Sequence, residues 1–387
     1  MSITLDGTNG ITTPDVDSSG PITGTVGTFS SSVRTNSYLD ASGGNSATIN
    51  GIVPTNGAVY YSQDTEPTSP PNGAIWYQPS FGVTSLRSNS AWLTLSGINN
   101  FFSNLGVFGG GEAGSASAVI DYISVSTTGN ATNFGNLTVA RSYSAGMSNG
   151  TRGVFAGGSG PSSVIDYITF TTLGNAINFG NLTRTYTYSA GVSNATRGVD
   201  AGGFAAAASA VMEYITIATT GNATNFGNLS VARYGLAGVS NATRGVFGGG
   251  YTGAAYSAVM DYITVATTGN ATSFGNLTVV RSFPAGVSNA TRGVFGGGVT
   301  TVNSAVMDYI TIATTGNATN FGNLTVAREG TTGVSNATRG VFGGGFDSAP
   351  SNVMDYITIA TTGNATNFGN LTVARRGLAG VSGTIPT

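Results

Sequence analysis

The sequence contains no cysteine, no histidine and no lysine. Without cysteine there is no disulfide and no thiol nucleophile, and without both cysteine and histidine the usual zinc ligand sets cannot be assembled. The missing histidine also removes the Ser-His-Asp triad and imidazole acid–base chemistry. All 14 basic residues are arginine, and charged residues make up only 8% of the chain, against roughly a quarter in ordinary soluble domains. The net charge is −2 with no basic block, so nucleic acid is not an expected partner, because phosphate binding needs clustered cations. No apolar run reaches the ~18 residues of a membrane span, and membrane insertion is not expected. The opening Met1-Ser-Ile-Thr-Leu-Asp-Gly has neither the basic nor the apolar region of a secretory signal. No metal and no cofactor is expected from this composition. What is abundant is glycine, 60 of 387 residues, beside 40% apolar residues. That is enough for a core in one large domain and a smaller one.

A tract close to Ala-Val-Met-Asp-Tyr-Ile-Thr recurs six times, its acid falling at Asp121, Asp166, Glu213, Asp261, Asp308 and Asp355. The gaps are 45, 47, 48, 47 and 47 residues, a period that belongs to propellers and solenoids. In the unit beginning at Leu236, four β-rich runs alternate with Asn, Gly and Thr turn chemistry. They are expected at 237–240, 244–249, 259–266 and 273–279. No segment carries a helical period. In the third run Val259, Ile263 and Val265 face one way and Met260 and Tyr262 the other. Both sides are apolar, as in a sheet sandwiched between sheets. Four antiparallel strands per repeat make a propeller blade.

The ends of the repeat region favour a closed ring. The first unit starts abruptly at Gly106-Val-Phe-Gly-Gly-Gly, without the Ala-Gly-Val-Ser run that precedes the other units, and the last unit runs on into Leu378-Ala-Gly-Val-Ser-Gly. The strand missing at the start is present at the end. The expected fold is therefore all-β: a six-bladed propeller over 101–387, its C-terminal strand completing the first blade, preceded by an extended β-rich stalk. The unit resembles a kelch repeat: an apolar run into paired glycines (Val107-Phe-Gly-Gly, Val246-Phe-Gly-Gly), then a Tyr/Asp pair, an aromatic and an arginine. It departs in its Asp-Tyr order and in Phe134, Phe179, Phe226, Phe274, Phe321 and Phe368, which stand where kelch units usually carry Trp. Copper chemistry of the galactose-oxidising kelch-like enzymes is not carried over, because it needs histidine.

The first hundred residues differ. They carry six acids and two arginines, a net −4, while 101–387 carries ten acids and twelve arginines, a net +2. The opening Ser2-Ile-Thr-Leu-Asp-Gly-Thr-Asn-Gly-Ile-Thr-Thr-Pro-Asp-Val resembles the N-termini of tail-fibre proteins of tailed phages, notably marine and cyanobacterial ones. The stretch Asp64-Thr-Glu-Pro-Thr-Ser-Pro-Pro-Asn-Gly-Ala-Ile-Trp-Tyr, with Arg87 and Trp92, resembles a common fibre module. The resemblance implies a virion-attachment and oligomerisation segment at 1–56, a small β module at 57–100, and a homotrimer through the stalk. It also implies contact with other virion proteins through the N-terminus, where Ile3, Leu5 and Ile11 are the apolar candidates. Residues 1–60 are too poor in large apolar side chains to fold well alone.

Comparing the six copies separates scaffold from recognition. What every copy keeps is needed by every blade: the glycine pairs, the Asp121-type acids, and the arginines of the Arg141 and Arg152 types, read as structural links. Unit two breaks the pattern, with Arg184 two residues early and Tyr186 in the usual arginine slot. The repeated Asn-Ala-Thr and Asn-Leu-Thr are read as turns despite matching glycosylation sequons. Two sets vary. One follows the glycines and includes Glu112, Phe204, Tyr251, Tyr256, Phe346 and Asp347; the other follows the arginine slot and includes Tyr143, Tyr188, Tyr234 and Phe283. Loops on a rigid scaffold carry recognition, and Tyr and Phe among Ser, Gly and Thr suit sugar stacking with adaptable hydrogen bonds.

The expected function is that of a phage tail-fibre or receptor-binding protein, assembled in the host cytoplasm and carried on the virion. Its propeller would contact a host surface polysaccharide or outer-membrane receptor. The alternative is a head, neck or collar fibre with a structural or weakly adhesive role. An enzyme is not expected, because glycoside hydrolysis needs two carboxylates about 5–10 Å apart, whereas the acids come mainly once per blade and Glu112, Glu329 and Asp347 stand isolated. A bacterial adhesin is disfavoured by the lack of a signal peptide.

Overall fold

In the computed structural model of the chain, the described residues are 104–160, 162–384 and, ahead of them, 38–39, 45–46, 60–62, 67, 74–78, 83–88 and 91–94. These contain strands and turns and no helix. The chain divides into two compact units, Met1–Thr94 and Leu95–Thr387. In the first, Tyr38–Leu39 pairs with Asn45–Ser46. Separately, Tyr60–Ser62 runs parallel to Ile75–Gln78, which continues antiparallel through Val83–Ser88 and Ala91–Thr94. Trp76 is buried in this unit.

The second unit is a six-bladed β-propeller, each blade a four-stranded antiparallel sheet. The fourth blade is typical: from the axis outward, Ala237–Ser240, Arg244–Gly248, Val259–Thr264 and Thr272–Asn276. The strands sit where the sequence places them, the second to fourth ending one to three residues early as the turn chemistry begins. The ring closes as expected. Ala379–Ser382 is the inner strand of the first blade and pairs antiparallel with Leu105–Gly109, Ala379 opposite Gly109 and Ser382 opposite Gly106.

Each blade buries both its faces. Ile263 and Val265 enter a core shared with the third blade through Val192, Val199 and Phe226, whereas Met260 and Tyr262 enter one shared with the fifth blade through Phe295 and Ile312. Six such inter-blade cores fill the ring, and the one joining last to first holds Phe108, Ile123, Val334, Met354 and Leu378. Two apolar faces per strand remove more surface from water than a half-exposed sheet can, which compensates for a chain so rich in glycine.

The axis is crowded. All six inner strands line one channel. A Cβ on Gly146 would run into the carbonyl oxygen of Gly380, one on Gly191 into that of Gly146, and so on through Gly238, Gly286, Gly333 and back to Gly380. Only glycine lets six strands converge this closely. At the end of the same strands a serine ring forms. The amide of Ser148 donates to Ser193 Oγ, Ser193 to Ser240, Ser240 to Ser288, Ser288 to Ser335, Ser335 to Ser382, and Ser382 to Ser148, over 2.9–3.4 Å.

Candidate functional site

The conserved charges hold the scaffold. Arg233 lies in the link entering the fourth blade, fully buried, and its Nη2 is 2.6 Å from Asp261 Oδ2 while Nη1 donates to the Gly249 carbonyl. Ser230 Oγ, from the preceding blade's outer end, donates to the other carboxylate oxygen at 2.5 Å. The same arrangement pairs Arg141 with Asp166, Arg281 with Asp308, Arg328 with Asp355 and Arg375 with Asp121 at 2.6–3.0 Å. In five of the six blades one carboxylate thus ties the link to the blade it enters, and a buried charge held this way is matched rather than exposed. The second arginine type has no acidic partner among the described residues. Arg244 stacks 4.3 Å over Tyr262 and donates to the Ile312 and Ala313 carbonyls of the next blade. In the first blade Leu105 holds that slot and packs in one core with Phe170.

The two ends of the propeller differ in kind. At one end lie the turns that repeat almost unchanged. Asn241 Oδ1 accepts from the amides of Thr243 and Arg244, and its Nδ2 donates to the Ala290 carbonyl of the next blade. These asparagines are turn caps, as their sequence setting predicts. Asn104, where the described part of the propeller begins, meets Asn336 at this end, and Thr384 lines the channel there. At the other end lie both variable sets, joined by backbone hydrogen bonds. Tyr234 and Tyr251 exchange amide–carbonyl bonds of 3.0 and 2.8 Å, Phe204 pairs with Thr187, Glu329 with Phe346, and Glu112 with Arg376. Two sets that sequence reading kept apart form one surface.

At the channel mouth on this variable end six residues make a closed collar. The amide of Tyr188 donates to the Tyr143 carbonyl, Gly235 to Tyr188, Phe283 to Gly235, Gly330 to Phe283, Gly377 to Gly330, and Tyr143 to Gly377, over 2.5–3.2 Å. The collar imposes a left-handed backbone on every member: φ is +55° at Tyr143, +64° at Tyr188 and +55° at Phe283, against +60° to +64° at the three glycines. Glycine adopts this conformation freely, whereas an L-residue is disfavoured by about 1–2 kcal/mol. Three aromatic residues therefore occupy positions where half of the copies show that glycine suffices.

The three rings converge. Tyr143 and Tyr188 have centroids 4.6 Å apart, Tyr188 and Phe283 5.3 Å, and Tyr143 and Phe283 5.7 Å. Tyr143 covers Gly377 and Phe283 covers Gly235, each ring about 2.8–3.1 Å from where a Cβ would stand. Tyr234 extends the cluster at 5.8 Å from Tyr188, and Phe204, Tyr251 and Tyr256 follow at 5.0–5.6 Å in successive steps. All seven rings are half-buried. Burial pushes the phenols of Tyr143, Tyr188 and Tyr234 up, so they stay protonated donors at neutral pH. Beneath the collar the cavity is only about 120 Å³, against about 350 Å³ at the serine end.

Beside the aromatic cluster lies a small charged group. Arg376 Nε donates to Glu112 Oε1 at 2.8 Å, and its guanidinium sits 4.6 Å over Phe346. Ser142 Oγ donates to Glu112 Oε2 at 3.0 Å. Burial raises the Glu329 carboxyl, opposed by Arg376. Asp347 is exposed at its loop tip. Within the two variable sets, Arg376 is the sole cation beside three acids.

Of the sequence candidates, Tyr143, Tyr188, Tyr234, Phe283, Phe204, Tyr251 and Tyr256 come together in one cluster, while Glu112 and Phe346 gather on Arg376. Asp347 joins neither group; its amide donates to the Ala349 carbonyl within its own loop. Ile3, Leu5 and Ile11 lie outside the described residues. Asp200 was not singled out by sequence reasoning. It occupies the slot of Phe108, Phe155, Phe247, Phe295 and Phe342, directly across the sheet from Glu213. Both acids are buried, 3% and 2% exposed, and neither lines the channel. Arg184, displaced in sequence, reaches only 3.9 Å from Glu213. Burial raises the Asp200 carboxyl to about 7, with Glu213 adding to the rise and Ser189 and Arg184 opposing it. Groups of three or more acids placed to hold a metal are absent among the described residues. No family model matches the chain, and no curated protein matches it significantly.

Proposed function

We propose that the chain is a phage virion fibre protein whose propeller attaches the particle to a host-surface glycan or receptor through its variable end. One observation carries this reading: the two variable sets gather at one end of the ring, around a cluster of seven aromatic rings. The opposite end, where the described chain enters the propeller, repeats itself. Variable loops gathered on one face of a rigid scaffold are where recognition is expected. Half-exposed aromatic clusters of this kind belong to binding sites. The resemblance of the N-terminus to tail fibres supplies the virion setting, and with it a trimeric stalk and docking to other virion proteins.

Labelled antibody against residues 105–382, imaged on intact particles by electron microscopy, tests the location. Label at the tail tip or tail-fibre ends is expected, and label on the head or neck would favour a collar or head fibre. Purified full-length protein added before infection is expected to slow adsorption several-fold. Unchanged adsorption at saturating protein would remove the receptor-binding role.

A further inference from the structure

We propose that Tyr143, Tyr188 and Phe283 form a single axial binding platform for an uncharged pyranose of a surface polysaccharide, and that the charged group beside them excludes acidic sugars. This deepens the reading above and rests on it. Glycine at 235, 330 and 377 makes the same collar hydrogen bonds, so the collar does not require the three aromatic side chains. They are held in a backbone conformation that disfavours them, and such strain persists where a site depends on it. Glycine would hold the collar without the backbone cost, and the rings offset that cost only by packing on one another, so their half-exposed surface is what a ligand would use.

The geometry selects a flat apolar ring with hydroxyls at its edge. The cavity below the rings is small, about 120 Å³, and the platform is correspondingly shallow. A ligand therefore lies across the rings, where the C–H face of a pyranose stacks on an aromatic surface and the Tyr hydroxyls meet its polar edge. Charge then discriminates. Glu112 and Glu329 stand against one cation, Arg376, whose Nε is already engaged by Glu112. Arg184, in the second blade, stacks over Tyr186 and lies 3.9 Å from Glu213. A uronic or sialic acid would bring its carboxylate to a surface whose one cation is already paired with Glu112 and outnumbered by acids, an arrangement that disfavours binding. Three aromatics among six positions also break the ring's symmetry, so each propeller offers one platform. A single shallow platform binds weakly, and adhesion then comes from many copies acting together.

The test uses the full-length chain and a triple variant, Tyr143→Gly, Tyr188→Gly and Phe283→Gly, which copies what the other three blades already contain. Both are applied to immobilised neutral polysaccharides (glucans, mannans, galactans and N-acetylhexosamine polymers) and to polyuronic and polysialic acids, with thermal unfolding measured in parallel. The expected result is binding to a neutral polymer, reduced at least about tenfold in the variant, with an unfolding midpoint equal to or above the parent's. Binding to acidic polymers alone, or neutral binding undiminished in the variant, overturns the platform while leaving a glycan-binding fibre in place. A variant that melts well below the parent shows that the rings serve the fold, and also overturns it. If the parent binds no polysaccharide of either class, the glycan reading itself falls, and the platform falls with it.

Discussion

At the scale of single residues, the third blade is the exception that shows what the others gain. Five blades place phenylalanine where this one places Asp200. The Asp200 carboxyl, pushed up to about 7, is protonated in the folded state over a range where the unfolded chain has already ionised. Its folded value lies above its unfolded value, so the stability it contributes is greatest below the ordinary carboxylate range. That contribution is lost as pH rises toward about 7. A rise of this size corresponds to at most about 4 kcal/mol, and the raised Glu213 adds in the same direction. Urea unfolding midpoints are therefore expected to be higher at pH 5 than at pH 8, and Asp200→Asn is expected to remove most of that slope. A parent protein no less stable at pH 8 would contradict the assignment. Sequence reading missed Asp200 because it watched the acid that recurs, not the phenylalanine slot that one copy abandons. The collar was legible in the same way and equally overlooked. Two residues before each inner strand, three copies carry Tyr or Phe and three carry Gly, the mark of a left-handed position.

At the scale of the strand, the inner Ala-Gly-Val-Ser runs were legible as strands but not as the crowded lining of a channel. Their glycines look like turn residues until six of them meet at the axis. Gly286→Ala would drive a methyl group into the Gly238 carbonyl of the preceding blade, and backbone on both sides leaves no room to yield. A loss of about 3 kcal/mol is expected, read by denaturant melts. Gly221→Ala, where a Cβ meets nothing, is expected to be neutral. Equal behaviour of the two would show that the axial packing is looser than the geometry says. The blade boundaries were legible because both faces of the third strand are apolar, a pattern only a sandwiched sheet needs. The pairing of the two variable sets was not, because it depends on bridges between loops, such as Tyr234 with Tyr251, that carry no periodic signal.

At the scale of the whole molecule, the number of blades and the closing strand followed from six copies and one displaced run. Residues 1–37 offered only resemblance. Removing residues 378–387 takes Leu378, Ala379 and Val381 out of two inter-blade cores and leaves Leu105–Gly109 with an unpaired edge. The expected result is a fall in melting temperature of more than about 10 °C, or loss of a cooperative transition, since several buried apolar side chains and a strand are lost together. Unchanged melting would mean that the ring does not depend on its final strand. Such an opened ring would also expose a strand edge to other copies, and aggregation is expected to accompany the loss.

The closing strand carries the same Ala-Gly-Val-Ser as three of the other five inner strands, and the remaining two differ from it only at Met147 and Thr332. Its hydrogen bonds therefore hold no count. A gene that gained or lost one 47-residue unit would still encode a tail able to zip onto the head of the array. What registers the number six is curvature: the span of the serine ring and the collar, each drawn shut by six amide hydrogen bonds. Recombination among near-identical repeats would thus be screened by the width of the hole in the middle, not by the seam.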